Sequence, residues 1–463
     1  MAPYIGTPDE LGARPADIEI SIDRGGTFCD VIAEIEGRET LIFKLLSVNP
    51  AHYADAPAEA IRRVLEVAEG RQIHVGAKLD ASRVASCRIG TTIATNALLE
   101  HKGVKFAFAT TKGFKDVCVI GDQTRPKLFA LQVEKAKALH DKVIEIDERI
   151  TIEDYDLNPY PTDKNATITD PQLLQALRDD GYESIAISFM HSYLYPDHEE
   201  AVASIARKVG FKYVSTSNET SPTIKYLRRS TSVCSEAYLY PVVRQYVQDF
   251  ESGFDKLPQR LEFMCSDGGL KESSKFKGNE ALLSGPAGGV VGIVKSCYDG
   301  SNPLIGFDMG GTSTDVCRYD GKYDFLMESH IADRTLNVPM LNIQTVAAGG
   351  GSILFARNGL LVVGPESAGA FPGPACYRNG GPLTVTDANL FLGRLDISAF
   401  PAVFGKDAKQ PLDMEVVKVK FREITDDFNE QTGQNLTLEE VASGFLDVAN
   451  ETMSRPIRNA TGK

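Results

Sequence analysis

Residues 18–22 alternate isoleucine with polar residues, the pattern of a half-buried strand, and residues 304–307 form a second short apolar run. Each run ends in an aspartate and a glycine pair, and each resumes as a second strand-like stretch, over 31–35 and 316–319. That pattern predicts two β-hairpins with glycines at the turn. Between them, strand and helix signals alternate. A helix is expected over 58–68 with Pro57 in its first turn. Strands are expected over 84–89, 105–109, 185–189, 213–215 and 261–264, with helices over 91–101, 198–209 and 290–296. A long helix over 223–250 should be kinked or broken at Pro241. The alternation indicates an α/β fold. The polar, proline-bearing stretch 215–222 is the expected linker. It divides the chain into a tail (1–16), a first lobe (17–217) and a second lobe (218–463).

The two hairpins share more than a shape. Both carry D-x-G-G-T-x-x-D-V, at residues 23–31 and 308–316, which points to two homologous units. Glycines let backbone N–H groups approach an anion closely, and a threonine hydroxyl adds a donor. An aspartate at the strand end can hold Mg²⁺ directly or through water. The candidate phosphate-holding residues are therefore Gly25, Gly26 and Thr27 with Gly310, Gly311 and Thr312. The candidate metal ligands are Asp23 and Asp308.

Composition narrows the ligand. With 43% hydrophobic and 24% charged residues over 463 positions, the chain is an ordinary globular protein. Its net charge of −14 disfavours nucleic acid, but not a phosphate held by backbone and metal. No basic-then-apolar leader opens the chain, and no apolar run reaches the ~18 residues of a membrane span. A cytosolic protein with reduced thiols and no membrane partner is expected. Its eight cysteines show no C-x-x-C pair and its seven histidines are scattered, so the spacing argues against zinc.

Other segments carry small and polar residues where a ligand could approach. Thr91, Thr92 and Asn96 lie where a strand passes into a helix, which suits an anion or a carbonyl and equally suits a plain helix cap. Gly268 and Gly269 follow a strand, and Ser284 opens the glycine-rich start of a helix. Gly349 and Gly350 sit in a further glycine loop. Glu366 and Asp387 are acids beside such loops, able to orient a substrate or metal or to cap a helix.

The two D-x-G-G-T loops resemble the phosphate loops of the actin, sugar kinase and heat-shock 70 ATPase superfamily. The longer stretches IDRGGTFCDV, RIGTTIATNALLEHKG, LLSGPAGGVVG, FDMGGTSTDV and GPESAGAFPGPACY are similar to the hydantoinase A/5-oxoprolinase family, from about residue 17 to the C-terminus. KLLSVNPAHYADAPAEAIRRVLE resembles the eukaryotic 5-oxoprolinase branch. The resemblance implies two ribonuclease H-like lobes around a nucleotide cleft, the second incomplete at Lys463. It implies ATP-dependent opening of 5-oxo-L-proline to L-glutamate, a step of glutathione metabolism, with ATP and Mg²⁺ as cofactors. Asp23 and Asp308 would be the catalytic and metal-holding pair, and which of them acts as base stays open. Arg24, Gly349 and Gly350 would join the two loops at the nucleotide. Thr91, Thr92, Asn96, Gly268, Gly269, Ser284, Glu366 and Asp387 would be the substrate-side candidates. The family's longer members carry a hydantoinase B-like half with no counterpart here, and a homodimer is expected at full length. The chain alone is expected to be inactive. An N-methylhydantoinase or ketone carboxylase ATPase subunit, or a non-catalytic ATP-binding fragment, are the alternatives.

Overall fold

The structure, a computed structural model, describes residues 17–124, 129, 131–133, 135–150, 171–405 and 409–462. β1 (Ile18–Arg24), β2 (Phe28–Ile35) and β3 (Leu41–Leu46) form an antiparallel meander. Helix α1 (Ala56–Glu69) follows, with Pro57 in its first turn and Asp55 Oδ2 accepting from Ala58 N at 2.9 Å. After β4 (Leu79–Asp80), strand β5 (Val84–Thr91) lies parallel to β1, and α2 (Ile93–Leu99) leaves from its end.

The chain then builds a second sheet. β6 (Phe106–Thr111), β7 (Lys142–Ile146), β8 (Ser184–Ser188) and β9 (Tyr213–Thr216) run parallel in the order β7-β6-β8-β9, with α3 (Val117–Ile120), α4 (Pro171–Asp179) and α5 (Asp197–Lys208) between them. β6 and β8 are buried at every position, as expected of a parallel sheet covered on both faces.

Residues 215–222 are not a loose linker. Ser215 and Thr216 end β9, α6 (Ser217–Thr220) is one helical turn, and Ser217 and Ser221 are buried. The polarity that suggested a linker serves an internal network. Ser217 Oγ donates to buried Glu199 at 2.6 Å, Asn218 N donates to the same carboxylate at 2.9 Å, and buried Arg229 Nε donates to Ser217 Oγ at 3.2 Å. Helix α7 (Tyr226–Ser252) runs through Pro241 without breaking, packed against β8 and β9.

Beyond β10 (Phe254–Lys256), strands β11 (Leu261–Met264) and β12 (Leu270–Glu272) return to the first sheet, giving the order β12-β11-β5-β1-β2-β3. One apolar core therefore joins residues on both sides of position 217, from Ile18 to Met340.

Helix α8 (Ser284–Cys297) leads into the second hairpin, β13 (Leu304–Met309) and β14 (Thr314–Tyr319). Two short ribbons follow, pairing β15 (Phe325–Leu326) with β18 (Met340–Leu341) and β16 (Ser329–Ile331) with β17 (Arg334–Leu336). β19 (Ile343–Val346) then completes β13-β14-β19, an antiparallel meander like β1-β2-β3. The remainder comprises the hairpin β20 (Ser352–Arg357) and β21 (Leu360–Ser367) with α9 (Val385–Phe391), α10 (Met414–Thr432) and α11 (Leu438–Thr461), around a second core. Phe28 of the first hairpin meets that core edge-on through Tyr377 and Phe400, both with ring centroids at 6.3 Å. Among the described residues no helix is long and apolar enough to cross a membrane.

The second hairpin sits on α8 through a glycine. A Cβ at buried Gly306 would lie 2.5 Å from Cys317 Sγ and 2.8 Å from Ile293 Cδ1. Gly306→Ala should therefore cost about 1–3 kcal/mol in denaturant unfolding. An unchanged midpoint would mean that this contact carries no load.

Candidate functional site

Strand register sets the site. Asp23 lies directly opposite Asp30 in β1–β2, and Asp308 directly opposite Asp315 in β13–β14. Like charges facing each other across a ladder repel. Ile18, Ile20 and Ile22 take the buried face of β1, which leaves Asp23 on the open one. Water reaches Asp23 and Asp308, yet protein closes around them on most sides, as at the floor of an open cleft. This confinement, then Asp30 and Asp308, raise the Asp23 carboxyl to about 6. Asp315 is also raised to about 6, by burial first and by Asp308 less, against the lowering effect of its bond from Thr345. Asp308 is raised by burial and then by Asp30. Both repeats thus bring their carboxylates within electrostatic reach of one another. Lys44 is the cation among them, opposite Asp30 in the ladder and 2.5 Å from it.

The turns meet as well. Gly25 N donates to Phe28 O at 3.0 Å, and Gly310 N donates to Ser313 O at 2.9 Å, the same bond in each copy. A Cβ at Gly311 would lie 2.3 Å from Thr27 Oγ1, and one at Gly26 would lie 3.4 Å from Thr312 Oγ1, so the two loops touch. The Thr27 hydroxyl is buried without a hydrogen-bond partner. Ser47 Oγ braces the first loop through Gly25 O at 2.7 Å. Gly350 N and Gly351 N brace the second through Gly310 O and Gly311 O, at 2.9 and 2.7 Å. Gly349 packs there too, its Cβ position 2.6 Å from Gly310 O.

Helix α8 ties the two halves together. Gly285 and Gly289 are one turn apart and share a face. A Cβ at Gly285 would come 3.3 Å from Asp23 Oδ1, and one at Gly289 3.5 Å from Asp308 Oδ2. A Cβ at Gly90, near the end of β5, would come 3.1 Å from the same Asp23 Oδ1. These glycines are small because helix and strand backbones pass the carboxylates directly.

Several expected residues join this cluster and others do not. Ser284 is the buried first residue of α8 and accepts from Thr91 N at 3.1 Å, and Thr92 lies beside Gly285. Thr91 is buried in β5, and its hydroxyl accepts from Ile93 N at 3.3 Å. Asn96 is exposed on α2, with its amide 3.4 Å from Thr92 Oγ1. Arg24 requires a correction. Strand alternation turns it from the cleft toward the core, where its guanidinium stands over Tyr246, 5.5 Å from the ring centre. Gly268 and Gly269 form the β11–β12 turn, with Gly268 at φ +81° against Leu341 and Val291, so turn geometry accounts for them.

Asp387 is likewise corrected. It is buried and accepts from Ala375 N, Cys376 N, Thr384 N and the Thr384 hydroxyl in a capping box on α9. Its oxygens hold the fold and are spent. Glu366 is exposed on β21. A cavity of about 410 Å³ lined by Ala375, Arg378, Asp413 and their neighbours contains none of the hairpin residues, and its Arg378 is already paired with Asp413.

Asp30, Asp315 and Lys44 were not singled out from sequence, whereas Gly285 and Gly289 lie in the glycine-rich helix start that was expected to admit a ligand. Asp30 and Asp315 close the repeated D-x-G-G-T-x-x-D-V, and a hairpin register drawn through that motif would have set each opposite its leading aspartate. The donor set is oxygen only. Among the described residues no three carboxylates bring ligand atoms within 4.8 Å of one another. This fits Mg²⁺, which takes one or two carboxylates and keeps several waters.

The fold is a mixed α/β one, and its duplicated glycine turns stand beside two carboxylate pairs, an arrangement with the chemistry to receive a cation-bound anion. A hydantoinase/oxoprolinase model matches residues 228–463, and one for the hydantoinase/oxoprolinase N-terminal region matches 19–210. The chain belongs to the hydantoinase/oxoprolinase family. It is 70% identical to 5-oxoprolinase PfmaA of Pestalotiopsis fici, over 96% of this chain and 37% of that protein. The ATP-dependent caprolactamase of Pseudomonas jessenii superimposes with a TM-score of 0.69 at 29% identity, over 96% of this chain and 63% of its own. Nucleotide-free acetone carboxylase superimposes with a TM-score of 0.71 at 21% identity and the same coverage, a likeness of fold. The chain spans about 37% of the length of the 5-oxoprolinases it matches.

The carboxylates give the cleft a pH signature. With folded pKa values raised, Asp23 and Asp315 bind protons more tightly folded than unfolded. Without a cation they favour the fold at low pH and cost stability as pH rises through about 6. Added Mn²⁺ should raise the unfolding temperature at pH 7.5 and much less at pH 5, where protons compete with it. Asp23→Asn should flatten the difference. An equal rise at both pH values would separate these groups from cation binding.

Proposed function

We propose that the chain is the ATP-binding, lactam-phosphorylating part of a 5-oxoprolinase, which opens 5-oxo-L-proline to L-glutamate with ADP and phosphate. The observation that carries this reading is the contact of the two glycine loops beside two carboxylate pairs, in a chain 70% identical to a 5-oxoprolinase. Each hairpin would open one ribonuclease H-like lobe of the actin-like ATPase type, with the nucleotide between them.

The chemistry explains the need for such a cleft. A lactam is stabilised by resonance, and its nitrogen leaves poorly. The lactam oxygen would take the terminal phosphoryl group, and the bond to the bridging oxygen of ADP would break. The resulting imidate carbon is electrophilic, and two waters in all give glutamate and phosphate. Phosphoryl transfer asks for positioning and charge neutralisation more than covalent help. Backbone N–H groups of residues 25–27 and 310–312 and the free Thr27 hydroxyl would hold phosphate oxygens. Asp23 and Asp308, with Asp30 and Asp315 behind them, would hold Mg²⁺ and its waters, which supplies the charge neutralisation. Without a cation Asp23 keeps its proton up to about pH 6, and Mg²⁺ on it would hold it ionised. Thr92 and Ser284 lie beside it on the substrate-side elements. A hydantoinase B-like half would guide water to the activated lactam.

The test mixes the chain with a hydantoinase B-like protein and follows ADP release on adding 5-oxoproline. Asp308→Ala should lower kcat at least about 100-fold and leave stability unchanged or raised, because it relieves a like-charge pair. Near-normal turnover would assign Asp308 to structure alone. Gly311→Ala pushes a Cβ against Thr27 and should raise the KM for ATP about tenfold or more. Faster turnover of hydantoins or caprolactam than of 5-oxoproline would move the proposal to another ring.

A further inference from the structure

Cys118, His140 and Cys234 are distant in sequence and adjacent in space. Cys118 is on the short α3, His140 precedes β7, and Cys234 lies in the first half of α7. One ligand atom from each falls within 4.8 Å of the other two, the one such group of three among the described residues. We infer that these three side chains form a site for a soft divalent cation, zinc by preference, separate from the carboxylate cleft.

Three observations carry the inference. Two thiols and an imidazole are the donor set that zinc takes in tetrahedral sites, and they are softer than Mg²⁺ selects. Tetrahedral zinc–thiolate geometry needs ligand atoms roughly 4 Å apart, a small closure from the observed spread. The Nδ1 of His140 is buried without a hydrogen-bond partner, although its ring packs on Phe108 with centroids 5.6 Å apart. A buried imidazole nitrogen without a partner costs stability, and a metal or a proton donor would satisfy it. Burial also keeps that ring neutral, in the state that ligates. Cys234 is almost fully buried and its thiol is pushed well up, by burial first and by Cys118 after. On binding, each thiol would lose its proton to solvent, two thiolates would balance the cation's charge, and water would fill the fourth position. The absence of a C-x-x-C pair spoke against zinc, but the fold supplies the convergence that spacing lacks.

The site would cross-link α7 to α3 and to the residues just before β7. Reduced, metal-free chain should take up one equivalent of Zn²⁺ by elemental analysis. Co²⁺ in its place should give visible d–d bands and a thiolate charge-transfer band in the near ultraviolet. Cys118→Ser, at a half-buried position that tolerates a hydroxyl, and Cys234→Ser should each weaken Zn²⁺ binding at least about 100-fold. His140→Ala should do the same. Cys297→Ser, at an exposed thiol, should bind as the parent does. Circular dichroism checks that each variant is folded. No uptake by the reduced chain, uptake undiminished in folded Cys118→Ser, or a Cys118–Cys234 disulfide forming in place of uptake would each overturn the inference.

Discussion

Four carboxylates within electrostatic reach of one another are the constraint around which the candidate site is built. Asp23 faces Asp30 and Asp308 faces Asp315 because hairpin register leaves them no other place, and the fold tolerates the repulsion. Such a cluster must be kept wet, partly protonated or bound to a cation. The surroundings favour access. On α8 and β5 glycine backbones pass close to Asp23 and Asp308, and Lys44 lowers the pKa of both carboxylates. Large side chains at positions 90, 285 or 289 would fill the space that the carboxylates use.

The same closeness explains why distant parts of the chain are held so firmly. The six-stranded sheet needs β5 beside β1 and β11 beside β5, and α8 crosses from that sheet to the second hairpin. Phe28, next to the first turn, reaches the second core through Tyr377 and Phe400. Contact between the turns at Thr27 and Gly311 thus follows from packing on both sides of it.

Much of this was legible in the sequence, because it is local. The repeated motif gave both hairpins, and alternation of strand and helix signals gave the α/β class with most of its elements. What escaped is what tertiary structure adds. The polar stretch 215–222 looks like a linker until Glu199 and Arg229 fold over it. Asp387 looks like a ligand until its four hydrogen bonds are seen. Arg24 sits inside the motif but, one residue from Asp23, falls on the opposite face of its strand. Cys118 and Cys234 have no spacing that could announce their meeting, since strands β7, β8 and β9 and helices α4, α5 and α6 lie between them in the chain.

The two meanders share a pattern, but they differ at the rung of the second aspartate. Where β3 sets Lys44 opposite Asp30, β19 sets Thr345 opposite Asp315. The two meanders are thereby polarised. One half brings its own counterion, while the other offers only a hydroxyl and keeps its negative charge uncovered. A cation placed among these carboxylates would therefore meet a sloping field, and the direction of that slope distinguishes two loops that their sequences make look interchangeable.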